Sequence, residues 1–500
     1  MQASSEDARG RRIVSAIELT AAWVTSAVSG VVLSGDRARA FTGVSIDTRT
    51  LKAGELYIAI RGERFDGADF AEAAIAAGAA GTIVPRGRGQ ALVAAQVVVA
   101  AQVVGSGFSR TSATNATAII EVDDTTAALQ ALAHAVRVAS GTKVVAITGS
   151  AGKTTTKEIT AEFLAVRYRV MRNRGNFNNH IGLPLSLIEL TARPEIAVVE
   201  LGMNHAGEIS TLVRVAEPDV RVWTNVGEAH LGFFASLDAI ADAKAEILER
   251  ATPSTVLVAN ADDERVAART RRFAGRTVTF GIDRDADVLA APVVDRGIEG
   301  MTARVSTPKG DIEIATPLIG RANLSNLLAG TAVALEFDVP LDAIAERASM
   351  LRPASHRGEV VRLARGVTIV DDSYNANPTA TRRALEVLAG AVHTGRRVAV
   401  LGEMLELGDR AIGLHEDVGR AAARARVDLL ITVGGAAAAA LGAAAVDAGL
   451  PRANVRHFAT SDETADAVAA EIRSGDLVLV KGSRGVKTDR VVDRLKAALA

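Results

Sequence analysis

Apolar positions along the chain fall into two rhythms. Short aliphatic runs occur at 44–49, 56–60, 144–148, 197–201, 220–225, 256–260, 367–370, 397–401, 429–433 and 477–480. Each has the length of a strand. Segments with apolar residues on a helical period separate many of them. Ile159, Phe163 and Leu164 share one side of such a segment, and another over 70–78 stops at a glycine. Strand and helix alternate from 141 to 353 and again from 354 to 500, which predicts parallel sheets covered on both faces. Residues 13–140 mix short strands with Ala-rich helices. Residues 286–320 lose the helical period and carry the turn Pro308-Lys309-Gly310-Asp311, which predicts a small antiparallel sheet. The Gly-, Ala-, Gln-, Ser- and Thr-rich stretch 85–115 reads as a loose insertion.

Five hundred residues exceed what one core serves. The expected fold is therefore α/β with three domains. A small mixed domain spans 13–140, a central parallel-sheet nucleotide-binding domain 141–353 and a Rossmann-like domain 354–500. The formal net charge of −1 excludes a whole-chain electrostatic footprint for nucleic acid or an anionic membrane. The absence of cysteine excludes disulfides and thiolate metal sites and suits the cytoplasm. Arg11-Arg12 precedes an apolar stretch, but Glu18 and several Thr and Ser interrupt it, so no signal peptide is expected. The Ala-rich runs at 91–104 and 436–446 are too short to span a bilayer.

The run at 144–148 enters Gly149-Ser150-Ala151-Gly152-Lys153-Thr154-Thr155, and a helix follows. Backbone N–H groups at such a turn cradle phosphates, Lys153 adds a point charge and the Thr154 hydroxyl suits Mg²⁺. Only two residues separate the glycines, so the loop is shorter than the usual four-residue form. Phosphoryl transfer also needs a carboxylate near the metal. Glu200 ends an apolar run and is the candidate, with a capped or salt-bridged edge residue as the alternative. His230 follows the Gly turn after the next run and suits Mg²⁺ or phosphate. Lys244 sits in a helical segment, where the residue pattern alone reads a solvated lysine. The loop 173–184 holds four Asn within seven residues, which fits either turns or amide contacts to a polyanion.

Together the short loop, the Asn-rich segment with Ile181-Gly182-Leu183-Pro184, Glu200, His230 and Lys244 resemble the Mur ligase family over nearly the whole chain. Asp371-Asp372-Ser373-Tyr374-Asn375-Ala376-Asn377-Pro378 is similar to the signature of the members that handle D-alanyl-D-alanine. Leu401-Gly402-Glu403-Met404-Leu405-Glu406-Leu407-Gly408, followed by His415, and Lys481-Gly482-Ser483-Arg484 resemble two further signatures. The resemblance implies ATP- and Mg²⁺-dependent ligation of D-alanyl-D-alanine to UDP-N-acetylmuramoyl-tripeptide by a cytoplasmic monomer. It implies that Ser45, Asp47, Thr48 and Arg49 face the UDP-linked substrate, with Asn178, Asn179, Tyr374, Asn375 and Asn377 also on the substrate side. Thr154, Glu200, His230 and Lys244 would hold Mg²⁺, Lys244 as a carbamate. Asn323 and Asn326 would lie on the adenine side, and Arg357 and Asp372 would reach the nucleotide from the C-terminal domain. Lys153, His230, Lys244 and Arg357 are the implied catalytic set.

Two departures stand out. Ala68 occupies the place of a family histidine in Asp66-Gly67-Ala68-Asp69-Phe70, and Val486-Lys487-Thr488-Asp489 stands where members frequently carry Glu. Rival readings are a ligase adding a diamino acid, a nucleotide-driven switch, and a binding protein without catalysis. The Asp-Asn-Pro-Arg tetrapeptide of diaminopimelate users is absent.

Overall fold

A computed structural model describes residues 15–104, 116–229 and 231–500. Arg11-Arg12, the end of the 85–115 stretch and His230 thus lie outside the described residues. The chain forms two compact units. The first takes the residues up to 144 with 171–201 and 211–218; the second takes 145–170, 202–210 and 219–500.

In the first unit, β1 (Val31–Ser34), β2 (Val44–Ser45), β3 (Leu56–Ile58), β4 (Gly81–Pro85) and β5 (Ala118–Val122) form a sheet of order β1-β5-β4-β3-β2. Only β1 is antiparallel to its neighbour. The run expected over 44–49 leaves the sheet after Ser45. Ser45 Oγ takes the Asp47 amide and Asp47 Oδ1 takes the Arg49 amide, which turns the chain. Helix α1 (Ala71–Ala76) follows a short 3₁₀ turn, and Gly78 at φ +99° ends that segment.

The 85–115 stretch corrects the expectation of a loose insertion, because α2 (Gly89–Val104) occupies most of it. Its Ala, Leu, Gln and Val run has no Pro and no interior Gly. Leu92 packs with Tyr57, Ala71 and Val84, so tertiary burial supports the helix. Helix α3 (Thr125–Ser140) is capped by Asp124, whose Oδ1 accepts the amides of Thr126 and Ala127. Strands β6 (Lys143–Thr148), β7 (Val170–Arg172) and β8 (Ile196–Glu200) come next, with α4 (Lys153–Leu164) between β6 and β7. In the first unit β7 and β8 lie side by side.

The second unit holds β9 (Val220–Trp223), α5 (Leu237–Ala245), β10 (Val256–Asn260), β11 (Arg276–Gly281), β12 (Val288–Asp295), β13 (Met301–Thr307), β14 (Gly310–Thr316) and α6 (Arg321–Glu336). The strand order there is β14-β13-β12-β11-β10-β9-β6. The expected antiparallel strands are β12–β14, and they continue the parallel sheet. Phe280 and Gly281 pair parallel with Val288 and Leu289, so β12 extends the parallel sheet and β13 and β14 continue it antiparallel. Opposite Trp223 sits Thr148, so β6 and β9 end level and their loops leave the sheet together.

The same unit carries β15 (Glu359–Arg362), β16 (Thr368–Asp372), α7 (Pro378–Gly390), β17 (Arg397–Gly402), α8 (Ala411–Arg424), β18 (Leu429–Val433), β19 (Val455–Phe458) and β20 (Leu477–Lys481). Their order is β15-β16-β20-β17-β18-β19. Only β15 is antiparallel. Ile369, Val398, Val400, Ile431, Val478 and Val480 are buried in its core. Each such side chain stabilises the fold by about 1.5–3 kcal/mol through apolar burial. Asp372 and Leu401 both pair with Lys481, which brings the ends of β16, β20 and β17 to one edge.

Candidate functional site

The phosphate loop is built against amide and hydroxyl side chains from the ends of β9 and the start of α6. Ala151 donates its amide to Asn225 Oδ1 at 2.9 Å, and its carbonyl accepts from Thr224 Oγ1 at 2.8 Å and Asn225 Nδ2 at 3.0 Å. Ser150 donates its amide to the Asn225 carbonyl at 3.0 Å and its hydroxyl to the Gly227 carbonyl at 3.1 Å. Gly152, at φ +83°, begins α4, and a Cβ there would lie 2.3 Å from Asn326 Oδ1. At Gly149 a Cβ would lie 1.9 Å from Thr224 Oγ1. Both glycines are therefore required by close approach. Lys153 Nζ folds back onto the Gly149 carbonyl at 2.6 Å. Thr154 and Thr155 are half-buried in the first turn of α4.

Asn326 is buried under this loop. Its Oδ1 accepts from Thr156 Oγ1 at 3.2 Å and its Nδ2 donates to Asn323 Oδ1 at 3.3 Å. Asn323 in turn donates to the Ile319 carbonyl at 2.9 Å. Thr224, Asn225 and Thr156 had no role in the sequence-based reading. The signal for Asn225 was present, since a polar pair directly after an apolar strand marks the level strand ends.

Lys244 corrects the solvated-lysine reading. It is only 1% exposed on α5. Desolvation holds its ammonium well below the usual lysine range, and Lys153 is near enough to add repulsion. Its apolar neighbours gave a legible sign, because Ile240, Lys244 and Ile247 share the i, i+4, i+7 stripe. Arg221, buried in β9, donates to the Ile247 carbonyl and, at 2.5 Å, to the Glu249 carbonyl. It thus holds the segment that follows α5.

In the first unit, Glu200 is 1% exposed at the end of β8. Its amide donates to Asn173 Oδ1 at 3.1 Å, and its Oε2 accepts from Asn178 Nδ2 at 3.3 Å. Asn179 instead turns the backbone, with Oδ1 accepting the Gly182 amide at 2.8 Å. Asp47 and Arg49 form a two-pronged pair, Arg49 Nε to Oδ1 at 2.9 Å and Nη2 to Oδ2 at 2.6 Å. That pair brings the half-buried Asp47 carboxyl down to about 2. Thr48 lies in the same turn.

The Asp371–Pro378 segment follows β16. Lys481 Nζ, almost fully buried, meets Asp372 Oδ2 at 2.5 Å and the Asn375 carbonyl at 3.0 Å. Asn377 caps α7 through Oδ1 and the Ala380 amide at 2.8 Å. The Arg357 guanidinium carbon stands 4.0 Å from the Tyr374 ring centroid, a cation–π contact. His415 is fully buried. Its Nε2 accepts the Met404 amide at 2.9 Å and its Nδ1 faces the Ala411 carbonyl at 2.7 Å.

One turn joins the two halves of this unit. A Cβ at Gly227 would lie 3.6 Å from Ser150 Cβ and 3.4 Å from Thr379 Oγ1. Beside it, Glu228 Oε2 accepts from Thr379 Oγ1 at 3.3 Å and from Arg382 Nη2 at 2.5 Å. The Gly232 amide donates to the Glu406 carbonyl at 2.8 Å. The phosphate loop and the first turn of α7 therefore meet across a single glycine.

A glycine loop between a parallel strand and a helix, with its lysine near a second, buried lysine, defines an α/β nucleotide-phosphate-binding protein. The comparisons with known proteins are more specific. Residues 40–137 match the Mur ligase family catalytic domain, 147–334 the Mur ligase middle domain and 356–484 the Mur ligase glutamate ligase domain. The chain belongs to the Mur ligase family. It is 36% identical to the UDP-N-acetylmuramoyl-tripeptide–D-alanyl-D-alanine ligase of Mycobacterium tuberculosis, over 96% of this chain and 98% of that one. The Bacillus subtilis protein of the same name is 34% identical over 91% and 93%. Among solved structures, MurF from Acinetobacter baumannii superposes with a TM-score of 0.82 at 29% identity, covering 97% of this chain and all of that one. MurF from Thermotoga maritima in complex with ADP gives 0.76 at 27% identity, covering 91% and 97%.

Proposed function

We propose that this chain joins D-alanyl-D-alanine to UDP-N-acetylmuramoyl-tripeptide, with ATP as the phosphoryl donor. The observation that carries the reading is the Gly227 joint, which packs the phosphate loop against the helix that follows the Tyr374-Asn375-Ala376-Asn377 segment. A terminal carboxylate oxygen of the tripeptide attacks the γ-phosphorus and ADP leaves. The amine of the dipeptide then attacks the acyl phosphate carbon, loses a proton and displaces inorganic phosphate. Lys153 and Arg357 offset the charge on the transferring group.

By the family resemblance, Thr154, Glu200, His230 and a carbamate on Lys244 are the Mg²⁺ ligands, and the hydroxyl and carboxylate oxygens among them are donors of the kind that ion takes. The burial of Lys244 supports the carbamate, because a neutral amine is the form that adds carbon dioxide. When bound, Mg²⁺ would polarise the γ-phosphate and neutralise developing charge. Asp47 and Arg49 are assigned to the UDP-linked substrate, and Asn323 to the adenine side.

Mass analysis after incubation with ATP, Mg²⁺, the UDP-tripeptide and D-alanyl-D-alanine tests the reading directly. The expected product is the UDP-linked pentapeptide, with one ADP and one phosphate per bond formed. Phosphate release that does not depend on the two peptide substrates would favour a nucleotide switch instead. Lys153→Ala should abolish ligation while UDP-substrate binding survives.

A further inference from the structure

His356 occupies a left-handed backbone position, φ +61°, that a side chain larger than glycine rarely adopts. The cause is visible in its contacts. Its Nδ1 lies 2.8 Å from Oδ2 of Asp371, a carboxylate with no exposure at the end of β16. The other oxygen of Asp371 accepts from Ser373 Oγ at 2.6 Å and from the Ser373 amide at 3.2 Å. The His356 carbonyl accepts the Tyr374 amide at 3.1 Å, and the next residue, Arg357, stacks on the Tyr374 ring. The Arg357 amide is itself tied to the Ala354 carbonyl at 3.0 Å. A closed circuit thus runs from His356 through Asp371 and Ser373 to Tyr374 and back to Arg357.

We infer that His356 is a positioning residue for Arg357: its bond to Asp371 holds the left-handed turn that aims the guanidinium. The inference rests on the nucleotide role proposed for Arg357. Without the imidazole contact the backbone at 356 regains freedom, and Arg357 must be ordered when nucleotide binds.

The test is a coupling measurement. His356→Gly tolerates the positive φ and removes only the side chain, while His356→Asn tolerates it and keeps an N–H donor. In an otherwise native chain, His356→Gly should lower kcat/KM for ATP about tenfold, the scale of a lost hydrogen bond to a charged group. KM for the UDP-tripeptide should stay within about twofold, and His356→Asn should recover most of the loss. In an Arg357→Ala background, His356→Gly should change kcat/KM for ATP less than about twofold. The same tenfold loss in that background, or no rescue by Asn, overturns the inference. Full activity of Arg357→Ala alone overturns the role of Arg357 itself, so the two failures are distinguishable.

Discussion

At the residue scale, burial decides what a charged or polar group can do. Lys244→Ala should lose ligation, and short-chain carboxylic acids supplied in the assay should restore part of it. Full activity in the unrescued variant would remove the carbamate. Gly152→Ala should destabilise the fold by about 1–3 kcal/mol through backbone strain, besides driving a methyl into Asn326. Thermal unfolding and nucleotide titration read the two effects separately. His415 gives a pH dependence. Burial is the leading cause that holds its pKa below 6.5, and its Nε2 must stay unprotonated to accept the Met404 amide. The unfolded chain therefore takes up the proton first as pH falls below 6.5. Stability is full above that value and declines below it, down to the lowered folded pKa. His415→Gln should flatten the decline in unfolding midpoint between about pH 7 and 5. The contacts of Gly152 with Asn326 and of His415 with Met404 were not visible in the residue pattern alone. Lys153 was legible because its meaning lies in adjacent residues. The burial of Lys244 depends on which stripe of α5 faces the core.

At the element scale, local signals sufficed where the element makes its own case. The strand at 144–148 and its Gly-Lys-Thr helix start follow from contiguous residues. The helix over 89–104 was missed because Ala and Gln suit both loops and helices, and Leu92 finds its apolar partners only in the folded first unit. The antiparallel run β12–β14 was read correctly in type. Its attachment to the parallel sheet carried no signal, because the Phe280–Val288 pairing joins residues across a turn with no hydrophobic alternation to announce it. The phosphate loop shows the same limit. Its glycines were legible, but the Asn225 clamp comes from another strand. Asn225→Ala removes two hydrogen bonds to Ala151. It should raise KM for ATP about thirtyfold at roughly 1 kcal/mol per neutral hydrogen bond. An unchanged KM in steady-state assays would show that Thr224 holds the loop alone.

At the scale of the whole molecule, the second unit links central and C-terminal segments through a short set of polar contacts. Glu228 and Arg382 are both partly exposed, so their ion pair should couple by only about 0.5–1 kcal/mol and weaken with salt. A double-substitution cycle with Glu228→Gln and Arg382→Ala, read by unfolding at low and high salt, checks this. Saturating ADP should raise stability by about 2.7 kcal/mol at a hundredfold excess over its Kd. The Lys153→Ala variant should show much less. Nothing in the linear order of residues announces that 150, 227 and 379 converge. Only the family signatures hinted that the C-terminal loops serve the same chemistry as the central one.

The Gly227 joint has a consequence for how the protein comes into being. Its three layers are supplied by residues far apart in the chain, and the last of them, Thr379, is made late. A nascent chain carries its phosphate loop for more than two hundred residues of further synthesis before α7 can close over it. Chains interrupted before that point hold the loop without its third layer.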